Sequence, residues 1–181
     1  YKLSPGHLIQ FNIEKGFAKS EKSKPYWSYS KVLQASQSNQ FTSTQVAHQL
    51  LEQSLESSIK SQAIADVPLG AFLSGGIDSS LVVALMQKNS MTPTKTFTIG
   101  FKDSNYNEAP FAESVANHLK TDHHEMILGE DDAMNAILKM PEIYDEPFAD
   151  SSQIPTYLVS KMTREHVTVA LSGDGGDELL G

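Results

Sequence analysis

The chain has 181 residues, a formal net charge of -8 and no cysteine. This length supports one substantial hydrophobic core, and the apolar and charged fractions are those of an ordinary soluble globular domain. The acidic balance argues against a nucleic-acid partner, and the absence of cysteine excludes a disulfide framework, a thiolate metal site and a cysteine nucleophile. No apolar run approaches the length of a membrane span, so we expect a cytoplasmic protein without a membrane partner.

The first 41 residues predict little regular structure. Two short apolar alternations, at Leu8–Phe11 and Pro25–Tyr29, are compatible either with short edge strands or with an extended connector. The charged, serine-rich stretch Lys15–Lys24 predicts an exposed turn, and the polar stretch Gln34–Thr44 predicts a linker. We therefore place a domain boundary between residues 41 and 42.

From residue 42 onward, helical and strand patterns alternate. Thr42 and Gln45 have the spacing of a capping box, and apolar residues recur every four positions behind them, which predicts an amphipathic helix over about 44–64. The remaining helices are predicted at 77–89, from Asn107 or Glu108 to 119, from Asp131 or Asp132 to 139, and at 155–163. The strands are predicted at 67–73, 95–101, 124–128 and 166–171. This alternation indicates right-handed βαβ units in an α/β fold, a parallel sheet with helices on both faces.

The most informative stretch, Ser74-Gly-Gly-Ile-Asp-Ser-Ser80, joins a predicted strand to the helix after it. Its glycines allow a tight turn close to a ligand, its serines offer hydroxyl donors, and the first N–H groups of the helix favour an anion. The carboxylate of Asp78 would repel a phosphate unless a cation lies between them, and Mg²⁺ is the natural bridge. The lysine of the G-x-x-x-x-G-K-[ST] loop is absent, which indicates a different nucleotide chemistry. A turn that binds nothing, with serines as helix caps, is the alternative.

A second glycine loop, Ser172-Gly-Asp-Gly-Gly-Asp-Glu178, follows the last predicted strand. Ligands of open α/β sheets bind outside the carboxyl ends of the strands, so we expect both loops to face one ligand. Asp177 would then give a second carboxylate to the metal that Asp78 holds, and Asp174 would reach the reacting centre or the cation. The alternative takes the two acids of this loop as turn residues and a helix cap.

Two further groups of polar residues invite a functional interpretation. His123 and His124 are adjacent on a predicted strand, so they point to opposite faces and cannot chelate one metal together. We expect them to be surface or strand-edge histidines. The acidic turn at Asp145–Asp150 is either solvated or part of the substrate pocket, because it precedes the helix near Pro155.

Several motifs in order resemble the synthetase domain of glutamine-hydrolysing asparagine synthetases, which belong to the N-type ATP pyrophosphatases. The resemblance covers roughly residues 45–181, and the motifs are Val67–Ser80, Thr96–Phe101, Asn107–Glu108, Tyr144–Pro147 and Leu171–Glu178. Leu3–His7 and Tyr26–Trp27 are similar to the end of that family's glutaminase domain. The resemblance thus implies an adenine nucleotide alpha-hydrolase-like fold for residues 42–181, incomplete at the C-terminus, after a glutaminase tail and linker at residues 1–41.

The resemblance also implies an activity. ATP would activate the side-chain carboxylate of aspartate as a β-aspartyl-adenylate, with release of pyrophosphate. Ammonia derived from glutamine would then attack to give asparagine and AMP. The implied cofactors are ATP and Mg²⁺, the implied partner is a glutaminase domain of the same full-length chain, and a homodimer is left open.

Position by position, the resemblance implies roles for individual residues. The pyrophosphate loop corresponds to Ser74, Gly75, Gly76, Asp78, Ser79 and Ser80. Positions beside the adenine and the nucleotide correspond to Phe72, Ile99, Ser172 and Gly173. The metal ligands correspond to Asp78 and Asp177. Asp174 corresponds to an acidic position that helps to deprotonate the attacking ammonia.

The chain also departs from the family pattern. Some members carry Thr-Thr-Ile-Arg where this chain has Phe148–Ser152, so aspartate is either held differently or replaced by another carboxylate. The family's later catalytic lysine is expected beyond Gly181. Two alternatives therefore stay open: an amidotransferase or β-lactam-synthetase-like enzyme that adenylates another carboxylate, and a non-catalytic nucleotide-binding paralogue.

Overall fold

A computed structural model describes residues 2–14, 17–38, 40–102, 107–146 and 149–180. The chain forms two compact units, Tyr1–Leu50 and Leu51–Gly181. The predicted boundary between residues 41 and 42 falls inside the first unit, and the assignment of residues 1–41 to the end of a glutaminase domain stays a prediction. Of the motif residues, Pro147, Phe148 and Gly181 lie outside the described ranges.

The first unit contains two short antiparallel strand pairs. Strand β1 (His7–Leu8) pairs with β4 (Lys24–Pro25), and β2 (Phe11–Glu14) pairs with β3 (Phe17–Ser20). The apolar alternations therefore form short strands rather than a connector. The exposed turn predicted for residues 15–24 is wrong at residues 17–20, because these pair with β2 along its whole length.

Helix α1 (Tyr29–Gln37) corrects the predicted linker, whose first four positions are helical. This helix is nine residues long and buries none of its side chains. Its apolar residues Tyr29, Val32 and Leu33 have helical spacing, but this stretch is too short to predict a helix. Helix α2 (Thr44–Gln62) follows. Its cap is Ser43 rather than Thr42, since the Val46 N–H donates to Ser43 Oγ at 3.3 Å.

The second unit alternates strands with helices, as predicted. The elements after α2 are β5 (Leu69–Phe72), α3 (Ile77–Lys88), β6 (Lys95–Phe101), α4 (Ala109–Leu119), β7 (Asp122–Leu128), α5 (Glu130–Ile137), α6 (Met140–Ile143), α7 (Gln153–Arg164), β8 (Val169–Leu171) and α8 (Gly176–Leu180). Neighbouring strands are parallel in the order β7-β6-β5-β8. The predicted α/β class with a parallel sheet and helices on both faces is confirmed.

Local hydrogen bonds explain where the bounds differ from the prediction. Helix α5 begins at Glu130 because Asp132 caps it from inside, its Oδ2 accepting the Gly129 N–H at 2.8 Å. Strand β8 begins at Val169 rather than at residue 166, because the Val167 N–H still bonds back to α7, at the Thr163 carbonyl. Strand β7 begins two residues earlier than predicted, because Asp122 pairs with Lys95 of β6.

Two hydrophobic clusters cover the two faces of the sheet. The first packs Ala71 and Leu73 against α2, α3 and α4, with Val83 fully buried at its centre. The second packs Phe97 against α7 and the segment before β8, through Met162 and Val167. Since successive strand residues face opposite sides, β5 contributes Ala71 to the first cluster and Phe72 to the second. Among the described residues, no helix combines the length and apolar character that crossing a bilayer requires.

The paired histidines of β7 point to opposite faces of this edge strand, as predicted. His124 stacks on Phe97 with ring centroids 5.2 Å apart, and its ring lies 4.1 Å from that of His166. His123 instead lies beside the fully buried Thr96, with 2.9 Å between its Nδ1 and Thr96 Oγ1. The contact between His124 and His166 joins distant parts of the chain and leaves no periodic signal in the sequence.

The environment of His123 makes the stability of the domain depend on pH. Burial lowers the pKa of His123 below its ordinary value of 6.5, and its Nε2 is buried without a hydrogen-bond partner among the described residues. The unfolded chain therefore binds more protons than the folded chain as the pH falls through about 6.5. We expect the free energy of unfolding to decrease from pH 7.5 to pH 5.5 in urea titrations, and His123→Gln to flatten this slope. The exposed His118 offers the control, and an equal slope in His123→Gln would contradict the assignment.

Candidate functional site

The first glycine loop connects β5 to α3 at the carboxyl edge of the sheet. Gly76 caps α3 in an extended conformation, so the N–H groups of the first turn have no partner within the helix. Gly75 has a φ of +82° and packs against the start of α4, where a Cβ would lie 2.6 Å from the Ala112 nitrogen. The loop therefore presents main-chain donors on a turn whose position is fixed by α4.

Two serines bond to each other across this loop. The Oγ atoms of Ser74 and Ser79 are 2.9 Å apart, and the Ser74 N–H donates to Ser79 Oγ at 3.2 Å. Ser79 Oγ also lies 3.3 Å from the Gly76 carbonyl oxygen, and the Gly76 N–H donates to Ser74 Oγ at 3.3 Å. The Oγ of Ser80 is buried without a hydrogen-bond partner among the described residues.

The second glycine loop, between β8 and α8, packs directly on the first turn of α3. A Cβ at Gly173 would lie 2.7 Å from the Ser79 nitrogen, and a Cβ at Gly176 would strike the carboxylate of Asp78. Strands β5 and β8 are neighbours, so their carboxyl ends meet at one edge. The structure thus brings the two acid-bearing loops together, as the sequence led us to expect.

A cavity of about 730 Å³ opens between these loops and α7. Five carboxylates line it, from Asp78, Asp150, Asp174, Asp177 and Glu178, and none of the described lining residues is Lys, Arg or His. Asp174 Oδ2 accepts a hydrogen bond from Ser172 Oγ at 3.0 Å. Hydrogen bonds from the backbone and side chain of Ser152 lower the pKa of Asp150 below its ordinary value. The cavity therefore accepts a phosphate group only together with a cation.

A second cavity of about 730 Å³ lies beside the first and is mainly apolar. Its walls include Phe72, Phe97, Ile99, Phe101, Pro155 and Val159. The two cavities share Phe72, Ser74, Ser152, Thr156 and Val159. One elongated ligand with a flat apolar end and a charged end fits such a pair of cavities.

The predicted site residues divide into three groups by position. Those that line the acidic cavity are Ser74, Gly76, Asp78, Ser79, Ser172, Gly173, Asp174 and Asp177, while Phe72 lines both cavities and Ile99 lines the apolar one. Gly75 shapes the turn, and Ser80 lies behind the cavity rather than in its wall. Of the acidic turn left open above, only Asp150 reaches a cavity wall among the described residues.

The wall contributed by α7 was missing from the sequence prediction. Thr156 and Val159 of α7, together with Ser152 at its N-cap, have helical spacing and border both cavities. That spacing marks one side of a helix but does not say what the side faces. Only the crossing of α7 over the sheet makes these residues part of the site.

The α/β domain with its four-stranded parallel sheet has the N-type ATP pyrophosphatase fold. The family model described as Asparagine synthase matches residues 50–181, and the chain therefore belongs to the asparagine synthase family. The resemblance stated from the motifs is confirmed.

Curated relatives agree with this membership. The chain is similar to the putative asparagine synthetase [glutamine-hydrolyzing] 2 of Methanocaldococcus jannaschii, with 48% identity over 128 residues, 70% of this chain and 25% of that protein. It is 42% identical over 117 residues to asparagine synthetase [glutamine-hydrolyzing] 1 of Bacillus subtilis, which covers 65% of this chain and 18% of that protein. It is 35% identical over 148 residues to asparagine synthetase B of Escherichia coli, a match that covers 72% of this chain and 26% of that protein. The matched segment of the chain spans about a quarter or less of the length of these relatives.

Proposed function

We propose that this domain binds ATP across the two cavities. The adenine would lie in the apolar cavity beside Phe72 and Ile99, and the triphosphate would extend over the Ser74–Ser80 loop into the acidic cavity. The observation that carries this proposal is the shared wall of the two cavities, which includes both Phe72 and Ser74. The use of ATP by the asparagine synthase family supports it.

The chemistry of the donor set fits Mg²⁺ in the acidic cavity. A triphosphate surrounded by five carboxylates needs a cation, and Mg²⁺ binds through one or two carboxylates together with phosphate oxygens and water. The described residues contain no group of three or more acids or histidines arranged for a metal. We propose Asp78 and Asp177 as its two carboxylate ligands. When bound, Mg²⁺ would neutralise charge that builds on the departing pyrophosphate.

The reaction proposed for the domain is the ATP-dependent synthesis of asparagine from aspartate. The main-chain N–H groups at the start of α3 would stabilise the leaving pyrophosphate, since donors aimed at developing negative charge lower the barrier. The side-chain carboxylate of aspartate would form a β-aspartyl-adenylate, and ammonia would displace AMP from it. Asp174, oriented by Ser172, would take a proton from the attacking ammonia. Ser172 and Gly173 would lie beside the nucleotide.

We propose that the domain acts within a longer, cytoplasmic chain. The names of the relatives include glutamine hydrolysis, and these proteins are about three times as long as this chain. A glutaminase domain of the same chain would release the ammonia that the synthetase site consumes. A homodimer stays open as the assembly.

The absence of basic side chains from the acidic cavity favours a second candidate with the same chemistry. Without a described Lys or Arg in its wall, the acidic cavity offers no positively charged side chain to the α-carboxylate of aspartate. The second candidate is therefore an enzyme that adenylates another carboxylic acid.

Exchange of labelled pyrophosphate into ATP by the longer protein tests both candidates. Exchange that depends on aspartate is the expected result. Exchange with another carboxylate alone would favour the second candidate. The absence of exchange with any carboxylate, in a protein that binds ATP, would contradict the adenylation step.

A further inference from the structure

Ser79 occupies the point where the two glycine loops meet. It lies in the first turn of α3 and is only 7% exposed, although it borders the acidic cavity. Gly173 of the second loop approaches its backbone nitrogen from outside the helix. The residue is therefore held on one side by its own loop and on the other by the neighbouring loop.

The hydrogen of the Ser79 hydroxyl is already used within the loop. A hydroxyl has one hydrogen and two lone pairs, and Ser79 Oγ accepts the Ser74 N–H. In one arrangement Ser79 donates to the Gly76 carbonyl, and the Ser74 hydroxyl donates to Ser79. In the other, Ser79 donates to Ser74 Oγ, which frees the Ser74 hydrogen to point into the cavity. Neither arrangement leaves a Ser79 hydrogen for a ligand.

The main-chain donors of the loop differ in their access to the cavity. The Ser79 nitrogen faces Gly173, and the Gly76 N–H is bonded to Ser74 Oγ. Ile77 and Asp78 precede Ser79 in the first turn, where N–H groups have no partner within the helix. In the arrangement that frees the Ser74 hydrogen, these two N–H groups and the Ser74 hydroxyl are donors that this loop can offer to an anion.

We infer that Ser79 is a positioning residue. This inference rests on the ATP binding proposed above and deepens it. Ser79 accepts the Ser74 N–H and donates to Ser74 Oγ, which holds Ser74 so that its hydroxyl and the N–H groups of Ile77 and Asp78 face the phosphates. Ser79 itself makes no hydrogen bond to them. This role differs from the one that the motif implies, in which Ser79 is one of several phosphate ligands.

A double-mutant cycle distinguishes the two roles. Hydrogen bonds to charged groups contribute enough that losing one weakens binding about tenfold or more. If Ser79 acts through Ser74, Ser79→Ala should weaken Mg²⁺-ATP binding about tenfold in the wild-type background and less than about threefold in a Ser74→Ala background. Equal losses in both backgrounds, measured by calorimetry, would show an independent donor and overturn the inference.

Amide exchange in the nucleotide-free protein gives a second readout. Ser79→Ala removes the acceptor of the Ser74 N–H, so exchange of the Ser74 amide should accelerate well beyond the change caused by any loss of global stability. Unchanged protection would contradict the positioning role. If Ser79→Ala does not fold, Ser79→Cys, which keeps a side chain of similar shape but only a weak donor, replaces it in the cycle.

Thr96→Val provides the matched control for lost stability. The Thr96 hydroxyl is fully buried, bonds to Thr121 and His123, and lines neither cavity. This variant should lower the free energy of unfolding and leave the affinity for Mg²⁺-ATP unchanged. Failure of the wild-type chain to bind Mg²⁺-ATP would overturn the proposed function and this inference together, whereas tight binding with additive losses would overturn the inference alone.

Discussion

Replacing Asp78 with Asn should weaken the binding of Mg²⁺-ATP about 100-fold. Its carboxylate lines the acidic cavity at the point where Gly176 of the second loop packs against it. Removing one partner of a desolvated charge pair costs roughly 2–5 kcal/mol of binding free energy. A loss of about 2.7 kcal/mol, within this range, weakens affinity about 100-fold. Isothermal titration calorimetry of the variant with Mg²⁺ and ATP measures this loss, and circular dichroism checks that the fold is retained.

The same variant should behave in the opposite way when the metal is removed. In EDTA, the wild-type carboxylate faces the triphosphate without a bridging cation and repels it, so Asp78→Asn should bind free ATP at least as tightly as the wild type. Asp145→Asn is the control, because Asp145 is exposed and borders neither cavity. Equal affinities for Mg²⁺-ATP in the wild type and Asp78→Asn would contradict the metal role.

Replacing Gly75 with Ala should destabilise the domain by about 3 kcal/mol or more, combining backbone strain with overpacking. The φ of +82° is unfavourable for alanine, and the new Cβ would lie 2.6 Å from the Ala112 nitrogen and 2.7 Å from the Phe111 carbonyl carbon. These neighbours are main-chain atoms of α4, so they cannot move aside as a flexible side chain would. Urea unfolding of the two proteins gives the difference in the free energy of unfolding.

Gly175 separates the two causes of this loss. It has a φ of +89°, but a Cβ at this position would meet no atom within 4 Å. Gly175→Ala should therefore cost only the backbone strain of the left-handed region, about 1–2 kcal/mol. Equal costs at the two glycines would contradict the close packing of the first glycine loop on α4.

The sequence predicted the sheet and the two loops because their signals are local. The β-rich run at Lys95–Phe101 matches β6 residue for residue, and the glycines at 75 and 76 mark the turn into α3. Because ligands of such sheets bind at the carboxyl ends of the strands, the sequence also predicted that this loop and the loop after β8 lie together. The contact between Gly176 and Asp78 agrees with this prediction.

The features that the sequence did not predict depend mainly on packing between distant segments. Thr156 and Val159 carry no mark of a binding site, and only the crossing of α7 over the sheet brings them to both cavities. The hydrogen bonds of Ser79 within the loop likewise depend on the loop conformation, which the motif Ser-Gly-Gly-Ile-Asp-Ser-Ser does not specify. Helix α1 buries no side chain, and its apolar residues span little more than one helical turn, which is too short a stretch to predict a helix.

Titration of this chain with ATP, in the presence and in the absence of Mg²⁺, tests the central claim most directly. That claim is that Asp78 and Asp177, from two loops at one edge of the sheet, bind the triphosphate through a shared divalent cation. Saturable binding of one ATP per chain with Mg²⁺, and a loss of at least about 100-fold in EDTA, is the predicted result. Binding that is equally tight without a divalent cation, or no binding by the folded chain, would contradict it.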